Sequence, residues 1–274
     1  MNHCLENIDM AFEFHGDKDR YFAMQLENAE QYVLPFIEAY KPIDSSLNIL
    51  EIGCAEGGVL KAFLKKGCRG SGIELMENRL ELAKHYLKDF LENGQVHLLN
   101  KNIYDVDVAK EFPEKFDIII LKDVIEHIPN QEKFLAVLRD FLKEKGLIFL
   151  GFPPWYMPFG GHQQICRNKW LSKLPYIHLL PNFMYMGILK MFGEPPFILN
   201  EMMDIKSTAI SIERFEKIAI QNDYDIVHKK HYLINPIYKY KFKLEPREQW
   251  GLIQAIPFVR NFFTTCVYYL IEKK

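Results

Sequence analysis

The chain has 274 residues, of which 49% are hydrophobic and 26% are charged. This length and composition predict one or two ordered domains and exclude disordered and collagen-like chains. Lys and Arg total 34 against 36 Asp and Glu, so the net charge of -2 lacks the positive excess on which non-specific nucleic-acid binding depends.

The cysteines and the N-terminus indicate a cellular compartment. Five cysteines are scattered along the chain without a CxxC pair, so neither a disulfide framework nor a cysteine zinc site is indicated, and a reducing cytoplasm is expected. The first residues lack the basic and apolar regions of a signal peptide, and no run of about 18 uncharged apolar residues occurs. We therefore expect a cytoplasmic protein with no stable membrane insertion.

Helical and strand patterns alternate along the first half of the chain. A helical stripe begins at Phe22 and is expected to kink near Leu34, because Pro35 removes a backbone donor. Short apolar runs then predict buried parallel strands at residues 48–53, 70–75, 96–100, 116–121 and 147–152. An open, doubly wound α/β sheet is therefore predicted, with its ligands at the carboxyl ends of the strands.

The composition changes after Pro153. Residues 151–203 hold 7 of the 14 prolines, 6 of the 10 methionines and few charges. This stretch interrupts the strand and helix rhythm, which predicts a lid over the strand ends. The core pattern then resumes with a helix around residues 212–219 and a strand near residues 224–234.

The C-terminal region carries two further patterns. Residues 237–243 alternate between apolar side chains and lysine, which predicts a half-exposed strand. Pro257 is expected to start a final helix whose apolar stripe packs on the core. Residues 262–271 are too few to span a bilayer, and the competing interpretation of this segment is an interfacial anchor.

A glycine-rich loop follows the first predicted strand and consists of Glu51, Gly53, Ala55, Gly57, Gly58 and the residues between them. Backbone can approach a ligand closely at such a loop. Glu74, at the end of the second strand, is spaced as expected for a carboxylate that binds both hydroxyls of a ribose. These features fit a dinucleotide fingerprint and the acidic glycine loop of a methyltransferase equally well. A carboxylate buried at position 51 needs a partner such as a cationic ligand, and this need favours the methyltransferase interpretation.

A further motif separates these two interpretations. Phe-Asp begins the fourth predicted strand, and Asp123 at its end is followed, after two apolar residues, by Glu126 and His127. With this motif the chain resembles the class I S-adenosylmethionine-dependent methyltransferases, particularly the small-molecule branch that includes quinone O-methyltransferases, over about residues 46–153 and more weakly 208–245. The resemblance implies a mostly parallel, seven-stranded, Rossmann-like sheet with a lid inserted after the fifth strand, and S-adenosyl-L-methionine as the cofactor.

The resemblance also implies which residues bind this cofactor. It places Glu51, Gly53, Ala55 and Gly57 against the methionine part, Glu74 on the ribose, and Asn102 and Ile103 beside the adenine. Ala55 stands where the family has its middle glycine, and Asn102 replaces an aspartate whose accepting oxygen its amide can supply. Lys122, at the end of the fourth strand, is expected to be exposed to solvent.

Two histidines are candidates for catalysis. Methyl transfer to a hydroxyl requires a base for the proton, and histidine suits neutral pH. His162 follows the fifth strand, at the face where substrates of this fold bind, and His127 belongs to the Glu-His pair of the resemblance. A metal site on Glu126 and His127 lacks further evident ligands, so no metal is predicted. The residues predicted to contact the acceptor are Trp155, Tyr156, Phe159, Gln163 and Tyr176.

The sequence thus predicts a methyltransferase that acts on a small, partly apolar molecule, with oxygen as the expected acceptor atom. Two alternatives stay open: an NAD-dependent oxidoreductase on the same sheet, and a non-catalytic regulator or scaffold that binds S-adenosyl-L-methionine. Four regions are expected, namely an N-terminal helical segment at 1–45, a cofactor-binding core at 46–153 and 204–245, a lid at 154–203, and a packed C-terminal helix within 246–274.

Overall fold

The computed structural model describes residues 17–274 of the chain. The first 16 residues of the expected N-terminal segment lie outside the described residues. The strands are β1 Asn48–Ile52, β2 Arg69–Ile73, β3 Val96–Leu99, β4 Phe116–Lys122, β5 Leu142–Phe152, β6 Tyr224–Ile234, β7 Arg247–Glu248 and β8 Cys266–Lys273. The helices are α1 Lys18–Asn28, α2 Leu34–Glu38, α3 Gly58–Lys65, α4 Glu77–Tyr86, α5 Lys88–Glu92, α6 Val108–Glu111, α7 Gln131–Phe141, α8 Asn182–Met191, α9 Pro196–Thr208, α10 Ile212–Gln221, α11 Tyr238–Phe242, α12 Gly251–Gln254 and α13 Val259–Phe262.

The eight strands of the described chain form one sheet in the order β3-β2-β1-β4-β5-β8-β6-β7. Strands β1 to β5 pair in parallel, and β8 pairs antiparallel with both β5 and β6. The predicted α/β fold with a mostly parallel sheet is therefore confirmed. The sheet has eight strands rather than seven, because the two-residue strand β7 adds to the edge beside β6.

Helices cover both faces of the sheet, and β4 lies between the two layers. Ile119 and Leu121 belong to the apolar cluster that α7 and α10 complete. Ile118 and Ile120 point to the other face and belong to the cluster that α2 and α3 complete. Successive side chains of a strand face opposite sides, so a strand covered twice must be apolar throughout. This explains the continuous apolar run that marks β4 in the sequence.

The C-terminal region differs from the expectation in two places. Residues 237–243, expected as a strand, contain helix α11, in which Tyr238 and Phe242 lie one turn apart with ring centroids 5.2 Å from each other. The expected C-terminal helix is limited to the single turn of α13, and the residues beyond it form β8. Strand β8 is buried on both faces, so its apolar run has no periodicity that separates strand from helix. Within the segment considered above as an interfacial anchor, residues 266–271 are buried and offer no face to a bilayer, whereas Phe263 is 49% exposed.

The expected lid region, which we call the cap, contains an apolar cluster separate from the clusters of the sheet. Its buried side chains are Cys166, Leu171, Tyr185, Leu189, Ile198, Leu199 and Met202. Helix α9 continues past the expected boundary at residue 203 to Thr208, whose hydroxyl donates to the backbone carbonyl of Glu126. This bond joins the cap to the loop after β4. Within residues 17–274, no helix has both the length and the apolar character needed to cross a bilayer.

Candidate active site

The loop between β1 and α3 depends on residues in the left-handed region. Gly53, Ala55 and Gly57 have φ angles of 68°, 49° and 82°. A Cβ on Gly53 would lie 2.8 Å from a methyl group of Val124, and one on Gly57 would lie 2.8 Å from a methyl group of Leu87. Both positions therefore require glycine for conformation and for space. Ala55 adopts the same region at a cost of roughly 1–2 kcal/mol.

Glu74 fastens this loop to the end of β2. Its Oε2 accepts a hydrogen bond from the backbone N–H of Ala55 at 2.9 Å, and its Oε1 accepts one from Met76 at 2.9 Å. Asn100 donates to the Glu74 carbonyl at 2.8 Å. Each carboxylate oxygen has a second lone pair, so Glu74 can hold the loop and still accept from a ribose hydroxyl.

A cleft opens beside the loop, and helix α1 forms one of its walls. Its lining residues are Tyr21, Phe22, Gln25, Glu51, Gly53, Cys54, Ala55, Glu56, Gly58, Val59, Arg79, Lys122 and Asp123. A Cβ on Gly58 would lie 2.8 Å from the carbonyl oxygen of Phe22, so this glycine lets α1 pack directly on the loop. Sequence reasoning missed the wall from α1 and the ion pair between Glu56 and Arg79, 3.2 Å apart, since no local motif marks either.

The predicted cofactor residues divide into three groups. Glu51, Gly53 and Ala55 line the cleft, whereas Gly57 and Glu74 shape the loop without lining it. Asn102 accepts from the backbone N–H of Tyr104 at 3.1 Å and thereby caps a single 3-10 turn. Ile103 is buried in the apolar core. Neither Asn102 nor Ile103 is among the described residues that line the cleft.

Glu51 is a buried carboxyl group in the wall of this cleft. Its side chain has 3% exposure, and its Oε2 has no hydrogen-bond partner among the described residues. Burial raises its pKa to about 8, against the opposing effects of the Leu60 backbone N–H and of Lys122. A cationic ligand group beside Glu51 would supply the missing partner and favour the ionised form.

Lys122 points into the cleft, so the expectation of a solvent-exposed lysine is wrong. Its side chain is 4% exposed, and its Nζ lies 2.6 Å from Oδ2 of Asp123. Burial acts to raise the pKa of Asp123, but Lys122 outweighs it, and the pKa is lowered. Asp123 has a φ of 57°, and its backbone N–H donates to the Gly151 carbonyl at 2.7 Å. An ionised carboxylate is thus fixed at the end of β4.

The two candidate histidines lie together beside this carboxylate. The ring centroids of His127 and His162 are 5.1 Å apart. His162 has a φ of 56° and follows Gly161, where a Cβ would lie 2.3 Å from Cβ of His178. Burial lowers the pKa of both histidines, to about 3 at His162, so both imidazoles are neutral near pH 7. The structure therefore brings together two residues that the sequence nominated separately.

Glu126 completes a cluster with these histidines. It has 4% exposure, neither of its carboxyl oxygens has a hydrogen-bond partner among the described residues, and burial raises its pKa well above the usual range. The ligand atoms of Glu126, His127 and His162 all lie within 4.8 Å of one another. A carboxylate oxygen with two neutral imidazoles is a donor set that suits a divalent transition metal. Sequence spacing did not reveal the third ligand, His162, because it lies 35 residues beyond His127 and reaches the cluster only in the folded chain.

Two of the predicted acceptor residues lie in the core of the cap. The Gln163 amide is fully buried and lies 3.1 Å from Nδ1 of His178. The other ring nitrogen of His178 donates to the Trp155 carbonyl at 2.8 Å, and the Trp155 ring packs edge-on against the same histidine at 4.6 Å. These contacts hold the cap together, and neither Gln163 nor Trp155 is among the described residues that line the cleft.

Two others connect the cap to the C-terminal segment. The Tyr176 hydroxyl donates to the Phe262 carbonyl at 3.0 Å, and the Tyr156 ring lies 5.5 Å from the Phe262 ring. Phe159 is partly buried in the loop that leads to His162. Its backbone carbonyl accepts a hydrogen bond from the backbone N–H of His162 at 3.0 Å, so Phe159 belongs to the turn that positions this histidine.

Comparison with known proteins identifies the family. A family model described as a methyltransferase domain matches residues 25–179. The ubiquinone biosynthesis O-methyltransferase of Leptothrix cholodnii is 28% identical over 104 residues, which are 38% of this chain and 43% of that protein. The enzyme of the same name from Rickettsia felis is 27% identical over 121 residues, 44% of this chain and 47% of that protein. The chain therefore spans less than half the length of these curated relatives.

Solved structures share the fold at low sequence identity. A putative sarcosine dimethylglycine methyltransferase from Galdieria sulphuraria has a TM-score of 0.59 at 11% identity, covering 90% of this chain and 86% of its own. The geranyl diphosphate C-methyltransferase of Streptomyces coelicolor, solved with Mg2+, geranyl diphosphate and S-adenosyl-L-homocysteine, has a TM-score of 0.55 at 12% identity, covering 91% and 80%. Both comparisons show the common fold.

Proposed function

This chain belongs to the methyltransferase domain family, and on that basis we propose that it transfers a methyl group from S-adenosyl-L-methionine to an oxygen of a small, partly apolar acceptor. Oxygen is proposed because the curated relatives are named as O-methyltransferases. An apolar acceptor is proposed because the loop after β5 and the cap above it are rich in aromatic residues.

One observation carries the cofactor assignment. The buried carboxyl of Glu51, whose Oε2 has no hydrogen-bond partner among the described residues, lines a cleft beside a left-handed glycine loop that Glu74 holds in place. The ammonium group of a methionine moiety is the kind of partner that such a carboxyl lacks. Glu74, one strand away, has the remaining lone pairs needed for two ribose hydroxyls. A single cofactor with an amino acid at one end and a ribose in the middle would therefore satisfy both carboxyl groups.

The histidine pair is assigned to the acceptor side. When bound, the cofactor supplies a methyl group on a positively charged sulfur, so the protein must mainly align the acceptor oxygen with it. Neutral imidazoles can accept a hydrogen bond from an acceptor hydroxyl, and a proton taken up by either ring would lie near the ionised Asp123. A pKa of about 3 makes His162 a weak proton acceptor. We therefore assign the proton to His127 and the orienting hydrogen bond to His162.

The same cluster fits a divalent cation. Glu126, His127 and His162 would hold it, and its charge would lower the pKa of an acceptor hydroxyl. If His127 takes the proton, turnover does not require a cation. If a bound cation activates the acceptor hydroxyl, removing the cation abolishes turnover.

Turnover with a panel of acceptors tests the proposal. The purified protein is incubated with S-adenosyl-L-methionine and catechols, simple phenols or amines, and S-adenosylhomocysteine and methylated product are quantified by mass spectrometry. We expect product from hydroxyl acceptors, and a loss of roughly 10²–10⁴-fold in His127→Ala with cofactor affinity preserved. His85→Ala, at an exposed position on α4, is the matched control. Cofactor binding without product from any acceptor class would instead support a non-catalytic regulator.

A further inference from the structure

A short segment at the end of the cap contacts both loops that carry the histidines. It consists of Thr208, Ala209 and Ile210, which we term the junction. Ala209 has a φ of 37°, in the left-handed region, and it caps the C-terminus of α9. The chain turns sharply at this residue, so the residues on its two sides bond to different loops of the site.

Thr208 bonds to the loop that carries His127. Its side chain is buried, and its hydroxyl lies within hydrogen-bond distance of the Glu126 carbonyl and 2.7 Å from the Ile205 carbonyl of its own helix. A hydroxyl has one proton to donate, so the two carbonyls share it. The hydroxyl therefore ties the backbone beside His127 to the last turn of α9.

Gln131 strengthens the same connection from the start of α7. Its side chain is fully buried, and its amide nitrogen donates to the carbonyls of Ile125 at 3.2 Å and of Thr208 at 3.4 Å. An amide nitrogen carries two N–H groups, so Gln131 can serve both carbonyls at once. Arg214 of α10 also donates to the Thr208 carbonyl, at 2.8 Å. Loss of the Gln131 amide or of the Thr208 hydroxyl would therefore take a donor from a buried carbonyl of this loop, which costs free energy.

Ile210 bonds to the loop that carries His162. Its carbonyl accepts a hydrogen bond from the backbone N–H of Trp155 at 2.8 Å. From Trp155 the chain reaches His162 through three successive turns, closed by backbone hydrogen bonds from Met157 to Pro154, from Gly160 to Met157 and from His162 to Phe159. Gly160 packs so closely that a Cβ there would collide with the Trp155 carbonyl oxygen. The loop is thus compact, and Ile210 anchors its start.

We propose that the junction aligns His127 with His162, and that Thr208 and Gln131 are positioning residues for this pair. The two rings belong to different loops, and their centroids are 5.1 Å apart. Because the junction bonds to both loops, a shift of one loop relative to the other must stretch or break one of its hydrogen bonds. This inference rests on the proposed role of the histidines in methyl transfer, whereas the alignment itself can be measured without a substrate.

Nuclear magnetic resonance of the full chain with ring-labelled histidine tests the alignment. The separation of the two rings places their protons within range of a nuclear Overhauser effect, and His127→Gln and His162→Gln assign the signals. We expect a cross-peak between the two rings in the wild type. Thr208→Val and Gln131→Met should weaken or remove it, because each takes a donor from a carbonyl of the loop that carries His127. Thr208→Ser keeps the hydroxyl and should keep the cross-peak.

Steady-state kinetics measures what the alignment contributes to turnover. Thr208→Val and Gln131→Met should lower kcat by roughly 10–100-fold, since a misplacement of about 1 Å can cost about 10²-fold. The KM for S-adenosyl-L-methionine should stay at its wild-type value, because neither residue is among the described residues that line the cleft. Thr208→Ser should restore most of kcat. If the wild type forms no product with any acceptor, the proposed function fails, and the cross-peak still decides whether the junction aligns the histidines.

Thr264→Val is the matched control. Thr264 is fully buried, and its hydroxyl donates to the Arg260 carbonyl at 2.7 Å, so the same substitution removes a buried hydroxyl that bonds to neither histidine loop. This variant should keep the cross-peak and the wild-type kcat. Circular dichroism establishes that each variant folds, and Gln131→Met carries the test if Thr208→Val does not fold. The proposal is overturned if the wild type shows no cross-peak, if Thr208→Val and Gln131→Met keep the cross-peak or kcat of the wild type, or if Thr264→Val weakens the cross-peak as much as they do.

Discussion

The substitution Glu51→Gln should uncouple cofactor binding from proton release. The Glu51 carboxyl is buried, its Oε2 has no hydrogen-bond partner within residues 17–274, and burial raises its pKa to about 8. An ammonium group placed beside it favours the ionised form and lowers this pKa. At pH 7 the side chain must therefore lose its proton when S-adenosyl-L-methionine or S-adenosylhomocysteine binds.

The size of the effect follows from that pKa. With a pKa of about 8, roughly nine-tenths of the Glu51 side chains are protonated at pH 7, and ionising them costs about 1.4 kcal/mol. The apparent cofactor affinity of the wild type should therefore rise about tenfold from pH 6 to pH 7 and level off above about pH 8.

The raised pKa also means that the folded state binds the proton more tightly than the unfolded state. The protonated Glu51 side chain therefore contributes to the free energy of unfolding of the ligand-free wild type. This contribution should be complete below about pH 4.5 and should be lost as the pH rises through about 8.

Calorimetry in buffers of different ionisation heat measures the released proton. We expect the wild type to release roughly 0.9 proton per S-adenosylhomocysteine bound at pH 7, as the protonated fraction requires. Glu51→Gln should release almost none, bind more weakly and lose the pH dependence. Glu81→Gln, at an exposed position on α4, should match the wild type. Equal affinity and equal proton release in the wild type and Glu51→Gln would refute the placement of Glu51 against the cofactor ammonium.

The remaining predictions concern the loop, the histidines, the metal and the cap. Glu74→Ala should weaken S-adenosylhomocysteine binding by about 1.5–3 kcal/mol in calorimetry, since charge-assisted hydrogen bonds are lost, and Glu81→Ala should not. His162→Gln should stay partly active in steady-state kinetics, because an amide can keep the orienting hydrogen bond, whereas His162→Ala should lower kcat without changing cofactor affinity. A chelator should leave turnover unchanged. If turnover is instead lost with the chelator and recovered on adding Zn2+ or Mg2+, a metal ion and not a histidine base activates the acceptor. Limited proteolysis should show residues 154–203 protected when S-adenosylhomocysteine and acceptor are both present; equal cleavage with and without them would mark a rigid appendage.

The parallel half of the fold could be predicted because its physical signal is local. Strands covered on both faces must be apolar throughout, and β1 and β4 carry such runs in the sequence. The C-terminal half could not be predicted in the same way. The run from Val267 to Ile271 is equally apolar on both faces, so only its place between β5 and β6 decides that it is a strand.

The candidate site likewise has features that a local sequence pattern predicts and features that depend on contacts between distant segments. The loop around Gly53 could be recognised because a tight turn beside a strand demands particular residues at fixed spacing. The inward direction of Lys122 depends on its ion pair with Asp123, and no sequence pattern predicts the left-handed φ of Asp123. The approach of His127 to His162 depends on how the loop after β5 folds back over the loop after β4. Contacts between distant segments of this kind require the packed structure.

Titration of the wild-type protein with S-adenosylhomocysteine and, separately, with NAD tests which cofactor the cleft binds. We expect saturable binding of S-adenosylhomocysteine at one site and no binding of NAD, because the carboxyl of Glu51 needs an ammonium partner that NAD does not offer. Saturable binding of NAD together with no binding of S-adenosylhomocysteine would contradict this expectation.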